Sequence, residues 1–356
     1  MKHVFLLVLI CIGPLLKAQN TDQKVILITM DGLRWQELFT GADEKLVSNK
    51  EYQGDESLKE KFWRKTPEER RKTLMPFIWS HIADKGQIHG NRTLGSKVDL
   101  TNNMLFSYPG YNEILTGKAD DKRINSNSKL ANPNITVLEI INKIPEFKGK
   151  VFSIGSWDLF PYIINEKRSG VPVNAGFNTA EGDNLTKKEL FLNELQSQIP
   201  SPWTTVRLDG FTHHYAKETM KKHHPNMLHI AYAETDDFAH PGNYSAYLNS
   251  AHTTDSFLKD LWEFIENDPF YKGQTTILMT TDHGRGTEPI EEWRHHGIEV
   301  DGAREVWFIA FGKGVKPLGE IKSKEQLYTT GIAPTILNLF DLKADTPDYM
   351  ESPIKL

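Results

Sequence analysis

Three short acid–histidine clusters follow apolar runs in this chain: Asp31 after KVILITM, Asp236 and His240 within NMLHIAYAETDDFAH, and Asp282 with His283 after TTILMTT. A further histidine, His296, stands in EEWRHHG. Carboxylate oxygen and imidazole nitrogen are ligands that hold catalytic zinc while leaving positions open for substrate. One ion needs three or four such ligands, so this set can supply two ions side by side. Two ions suit the attacking and leaving oxygens of a phosphoryl transfer. The same oxygen and nitrogen ligands admit manganese as well.

A nucleophile candidate lies in NMLFSYPGYNEILTG, where Ser107 is followed by Pro109. Proline favours the first turn of a helix, so a helix is predicted through Glu113 to Thr116, stopping at Gly117. A hydroxyl at a helix N-terminus faces a positive dipole end and free N–H groups, which favour an alkoxide and a bound phosphate. Taken alone, Ser107 reads first as an ordinary helix cap. Competing ligand positions are Asp237 beside Asp236 and His295 beside His296. Asp236 and His240, four residues apart, share one face if the turn after the strand is helical. Glu234 reads as a supporting or surface residue, and the pairs His213–His214 and His223–His224 as solvated side chains of a polar helix. His252 reads as facing one side of its own helix.

The apolar runs KVILITM, KVFSIGSW, NMLHIAYA, TTILMT and EVWFIAFG are predicted as buried strands. Helical periodicity alternates with them, in TVLEIINKI, LTKKELFLNELQSQI, HTTDSFLKDLWEFIEND and YTTGIAPTILNLFDL. An apolar pattern within residues 57–86 also reads as helical, with Gly86 as its stop. This alternation predicts an α/β fold: a doubly wound, mostly parallel central sheet with helices on both faces. In such sheets ligands bind beyond the carboxyl ends of the strands, which is where the acid–histidine clusters fall. Residues 20–356 read as one catalytic domain, and polar stretches near 40–75 and 160–225 as peripheral or capping insertions.

The opening MKHVFLLVLICIGPLLKAQ has a basic start, an apolar stretch and a small residue before a polar break. It fits a cleavable secretory signal over residues 1–19 and predicts a secreted or periplasmic protein with no stable membrane anchor. Cys11, the only cysteine, lies within it, so the remaining chain has neither disulfide nor thiol chemistry. Without Lys2 and Lys17 the 42 basic residues fall to 40 against 47 acidic, and the formal charge of −5 becomes −7. A mildly acidic surface gives no footprint for nucleic-acid polymers or anionic membranes. A small phosphorylated substrate held by metal is compatible with it.

The order Asp31, Ser107 in SYPGYNEILTG, Asp236-x-x-x-His240, Asp282-His283 and His296-Gly297 resembles the alkaline phosphatase superfamily, most of all its nucleotide pyrophosphatase/phosphodiesterase branch. The resemblance spans nearly the whole chain after the leader, ending at GIAPTILNLFDL. It implies two zinc ions and a phosphoseryl intermediate. Asp31, Asp282 and His283 would hold the zinc that also binds the Ser107 oxygen, and Asp236, His240 and His296 the other. The family spacing favours Asp236 over Asp237, and Gly297 favours His296 over His295. Related enzymes place an asparagine after the nucleophile helix to bind a phosphate oxygen. KADDKRINSNSK offers Asn127, which needs a one-residue gap in the register, or Asn125.

The same motif separates branches. Sulfatases have arginine where this chain has Tyr111, so sulfatase chemistry is disfavoured. One monoesterase branch carries Lys-Asp-Arg after a strand resembling VFSIG, and those cations bind the extra phosphate charge. Here Trp157 and Leu159 flank Asp158. A diester carries one charge less and could set a planar or apolar substituent against Trp157. The sequence therefore points to a phosphodiesterase or pyrophosphatase, with a monoesterase or phosphotransferase as the alternative and a non-catalytic metal-binding protein behind both.

Overall fold

The computed structural model describes residues 20–356; the leader expected over 1–19 lies outside the described residues. Among the described residues there are eleven strands: β1 Lys24–Met30, β2 Gly86–His89, β3 Ser96–Asp99, β4 Val151–Gly155, β5 Val173–Ala175, β6 Met227–Tyr232, β7 Thr275–Thr281, β8 Glu305–Val306, β9 Phe308–Gly312, β10 Gly319–Glu320 and β11 Glu325–Tyr328. Eight of them form one sheet in the order β10-β2-β9-β7-β1-β6-β4-β5, and β11-β3-β8 form a smaller one. In the large sheet only β9 runs antiparallel to its neighbours β7 and β2. The mostly parallel α/β sheet read from the sequence is present. EVWFIAFG, expected as one buried strand, breaks at Trp307 into β8 and β9, and β9 runs antiparallel to its neighbours.

Every residue of β1 is buried, because the strand lies between β6 and β7 and helices cover both faces. Its side chains alternate between two cores, with Val25 and Leu27 on one face and Ile26, Ile28 and Met30 on the other. The first core takes Ile114 and Leu115 of the Ser107–Thr116 helix and Ile332 and Ile336 of the Ile332–Leu339 helix. The second takes Leu248, Ala251 and Leu258 of the Tyr244–Asn267 helix. Each such fully buried aliphatic contributes roughly 1.5–3 kcal/mol. Parallel register pairs Met30 with both Tyr232 and Thr281. The residues that follow these strand ends, Asp31, Ala233 and Asp282, therefore emerge together at one edge of the sheet.

Two stretches differ from the sequence reading. The helical pattern of residues 57–86 is interrupted by Pro67 and Pro76, giving separate helices at Leu58–Phe62 and Pro67–Leu74 and a π-helical turn at Ile78–Ile82. Gly86 opens β2 instead of merely ending a helix, and a Cβ there would lie 2.4 Å from the Ala310 carbonyl oxygen across the pairing with β9. Residues 160–225 are partly integral to the core. They supply edge strand β5 and the Asp209–His223 helix, whose Tyr215, Ala216 and Met220 pack into the second core.

The Ser107–Thr116 helix runs as expected to Gly117, but Phe106 is its N-cap and Ser107 its first helical residue. It lies flush against the end of β7. A Cβ at Gly110 would sit 2.1 Å from the Asp282 carbonyl oxygen. Gly110→Ala is therefore expected to push the helix off Asp282, lowering stability by about 1–3 kcal/mol and activity far more than stability. Urea unfolding and turnover on the same preparation check this; unchanged turnover would show that the helix need not touch Asp282.

Candidate active site

Asp31 leaves β1, Asp282 and His283 leave β7, and Asp236 stands on the short Glu234–Ala239 helix that follows β6, with His240 as its C-cap. That turn is helical, so the i, i+4 pair does share a face. Ligand atoms of Asp31, Asp282 and His283 lie within 4.8 Å of one another, as do those of Asp236, His240 and His296. The two triads adjoin. Asp236 Oδ1 is 3.6 Å from both His283 Nε2 and His296 Nε2, and the rings of His283 and His296 stack with centroids 3.9 Å apart. Ser107 Oγ stands 3.5 Å from His283 Nε2.

The donor set fits divalent cations. His283 Nδ1 lies 2.9 Å from the Gly284 carbonyl oxygen, which can only accept, so Nδ1 carries the proton. Its unprotonated Nε2 then faces Asp31 Oδ1 at 3.2 Å and Asp282 Oδ2 at 3.7 Å. Among the described residues neither of these carboxylate oxygens has a hydrogen-bond partner. The other oxygens are occupied: Asp31 Oδ2 by the Tyr111 hydroxyl at 3.1 Å, and Asp282 Oδ1 by the N–H groups of Gly32 and His283. Lone pairs converging on one buried point, each ligand braced from behind, are what a metal site requires. Burial and then neighbouring carboxylates push the Asp31 and Asp282 carboxyls well above the usual range, a repulsion that a cation relieves.

Asp236 differs. Burial alone would raise its carboxyl, but the adjacent Arg285 guanidinium and His240 hold it well below the usual range. Arg285, wholly buried, also donates to the Gly32 and Arg294 carbonyls. The sequence reading missed it, since its place in TTDHGRG does not show that it meets Asp236. Gly32 makes room for this crowd: at φ +59, its Cβ would lie 3.0 Å from Arg285 Nε, Asp236 Oδ1 and His283 Cε1.

The competing positions stay outside both triads. Asp237 is mostly buried nearby, its carboxyl pushed up to about 8 by burial and by Asp236, and His295 joins neither group. Asn127, not Asn125, touches the nucleophile helix: its Oδ1 accepts the Tyr108 N–H at 3.0 Å, which leaves its amide nitrogen free to donate. Trp157 is half-buried after β4, edge-on to Phe160 and bridged to Val206. Asp158 next to it is paired with Lys129 Nζ at 2.7 Å.

Among the other histidines, His213 is not solvated as expected. It is buried, stacked on Phe257, and bonded to Asp260 at 2.7 Å and Tyr232 at 3.1 Å, because it lies on the core-facing side of its helix. Glu234 is also more than a surface group, since it accepts from the Asp209 N–H and the Ser250 hydroxyl. His252 binds the Leu74 carbonyl.

Residues 186–344 match the model of the Metalloenzyme superfamily. The wild-type alkaline phosphatase PafA superposes with a TM-score of 0.58 at 12% identity, covering 93% of this chain and 98% of that one. The fold is that of the alkaline phosphatase superfamily. A phosphonate monoester hydrolase from Silicibacter pomeroyi shares this superfamily fold, with a TM-score of 0.55 at 13% identity over 93% of this chain and 75% of its own. The 2,3-bisphosphoglycerate-independent phosphoglycerate mutase of Legionella pneumophila is 23% identical over 133 residues, 36% of this chain. The match spans about a quarter (25%) of that curated relative's length. These likenesses show the fold and do not single out the pyrophosphatase/phosphodiesterase branch.

Proposed function

We propose that this protein is an exported, two-zinc phosphoric ester hydrolase that uses Ser107 as nucleophile and prefers phosphodiesters. The observation that carries the proposal is the pair of adjoining triads with the Ser107 hydroxyl beside them. Asp31, Asp282 and His283 would hold one ion and Asp236, His240 and His296 the other. When bound, the ions supply the positive charge that the attacking and leaving oxygens require.

Ser107 Oγ forms the new bond to phosphorus as the ester P–O bond breaks, its own proton passing to solvent and the departing alcohol taking one up. Water then attacks phosphorus, the Ser107–phosphorus bond breaks, and the serine regains its proton. Ser107 is buried, at 5% exposure, on a helix whose residues are all buried. In the first helical turn the Tyr108 N–H is taken by Asn127 Oδ1, Pro109 has none and the Gly110 N–H bonds the Phe106 carbonyl, which leaves the Ser107 N–H for a phosphate oxygen, while the Asn127 amide is placed to donate to another. Trp157 offers a flat apolar surface to an ester substituent.

A monoesterase is the second reading, favoured by one contact. Lys129, two residues beyond Asn127, returns to Asp158 at 2.7 Å, so a cation stands beside the stretch where the sequence shows none. Rates on an aryl phosphodiester, an aryl phosphate monoester and an aryl sulfate decide between the readings, with metal measured on the same sample. The diester is expected to lead in kcat/KM, with the sulfate far behind. Lys129→Gln is expected to lower monoester turnover relative to diester by roughly tenfold, the value of one charge-assisted contact. A wild type preferring monoesters by a hundredfold would establish the second reading. Leu159 is 1% exposed, so placing arginine there would test packing rather than substrate charge. Export is tested separately, by finding the chain in periplasm or medium without its first residues.

A further inference from the structure

The loop that leads from β3 into the Ser107–Thr116 helix contains a leucine in a conformation that leucine avoids. Leu105 has φ 55 and a buried side chain, in the left-handed region where a bulky residue is strained and persists only if its surroundings impose it. Asn102 imposes it: its Oδ1 accepts the Leu105 N–H at 2.9 Å. Asn102 is itself pinned, its N–H and side-chain amide donating to Glu113 Oε2 at 2.7 and 2.9 Å. Glu113 Oε1 takes the Thr101 N–H at 2.7 Å and the Thr329 hydroxyl at 2.6 Å. Asn102, Glu113 and Thr329 are all wholly buried.

The turn at Leu105 has a chemical consequence. Its carbonyl oxygen lies 3.3 Å from His296 Nδ1. A carbonyl only accepts, so Nδ1 carries the proton and Nε2 presents its lone pair to Asp236 Oδ1 at 3.6 Å and His240 Nε2 at 3.3 Å. Two residues after this carbonyl comes Ser107, and six residues after Ser107, on the same helix, comes Glu113. One buried network thus fixes both the start of the nucleophile helix and the orientation of a ligand in the second triad. We propose that Asn102 is a positioning residue: by holding the Leu105 turn, it sets the His296 tautomer and makes the Asp236–His240–His296 triad competent to bind metal. This rests on the two-metal reading above.

The test is zinc titration of the metal-free protein against a competing chelator, with melting followed in parallel. Asn102→Ala should weaken one of the two sites roughly 10–100-fold, the usual consequence of losing a partner that orients a ligand, and leave the other unchanged. Adding Leu105→Gly should recover most of that affinity, since glycine takes positive φ without the clamp. Tight binding of both ions by Asn102→Ala, equal loss at both sites, or no recovery in the double variant would each overturn the proposal. If Asn102→Ala does not fold, histidine-selective nitrogen NMR of the wild type decides. The His296 signal, identified by its absence in His296→Gln, should show protonation at Nδ1; a proton on Nε2 would refute the idea. A wild type that binds fewer than two ions would remove the function proposed above as well, whereas two ions with an indifferent Asn102→Ala removes only this inference.

Discussion

Ser107→Ala is expected to bind metal as the wild type does and to lose turnover by about 10⁴-fold or more, the scale seen when a covalent nucleophile is removed. The hydroxyl is held at the first position of a wholly buried helix, 3.5 Å from His283 Nε2. The neighbouring Tyr111 hydroxyl is already committed to Asp31 and cannot substitute for it. Ser107→Thr should keep a fraction of the activity, because it retains an attacking oxygen and adds only a methyl group in a buried place. Quenching the wild type during turnover should trap phosphate on the Ser107 peptide. Near-native rates for Ser107→Ala on every ester tried would mean direct attack by water and would end the covalent mechanism.

Much of this site was legible because β1, β6 and β7 are apolar on both faces, and an unbroken run of Val, Ile, Leu and Thr announces a buried parallel strand. Once those strands were recognised, the polar residues just beyond Met30, Tyr232 and Thr281 had to share one edge. The reversal of β9 was not legible. A strand covered on both faces shows the same composition whichever way it runs, and direction is set by the connection through residues 283–304. His213 was misread for a related reason: two adjacent histidines in a lysine-rich helix look solvated, yet helical spacing turns one of them inward against Phe257. Arg285 and Asn102 were missed because each acts through another residue. Nothing in a local sequence window reports that a guanidinium meets a carboxylate 49 positions earlier, or that an asparagine holds a turn three residues on.

Chelation should abolish activity, and two equivalents of zinc per chain should restore it. Without metal, Asp31 Oδ1 and Asp282 Oδ2 face each other and an imidazole lone pair with no donor between them, so the site cannot hold phosphate on its own. Affinity should weaken as pH falls, since the Asp31 and Asp282 carboxyls, pushed up by burial, must shed their protons to bind. The ions should also raise stability, by about 2.7 kcal/mol for each site when free zinc is a hundred times Kd; melting with and without zinc reads this directly. Single-site variants separate the two positions. Asp282→Ala should lose the ion nearest Ser107, and His240→Ala the other. Asp236→Ala is expected to be worse than either. Its Oδ1 lies 3.6 Å from histidines of both triads, and its removal leaves the buried Arg285 guanidinium without its carboxylate, so both ions should weaken and the fold with them. Metal analysis of the three variants at matched free zinc distinguishes these patterns. A fully active preparation holding one ion per chain, or an Asp236→Ala variant that keeps both, would sink the two-ion site.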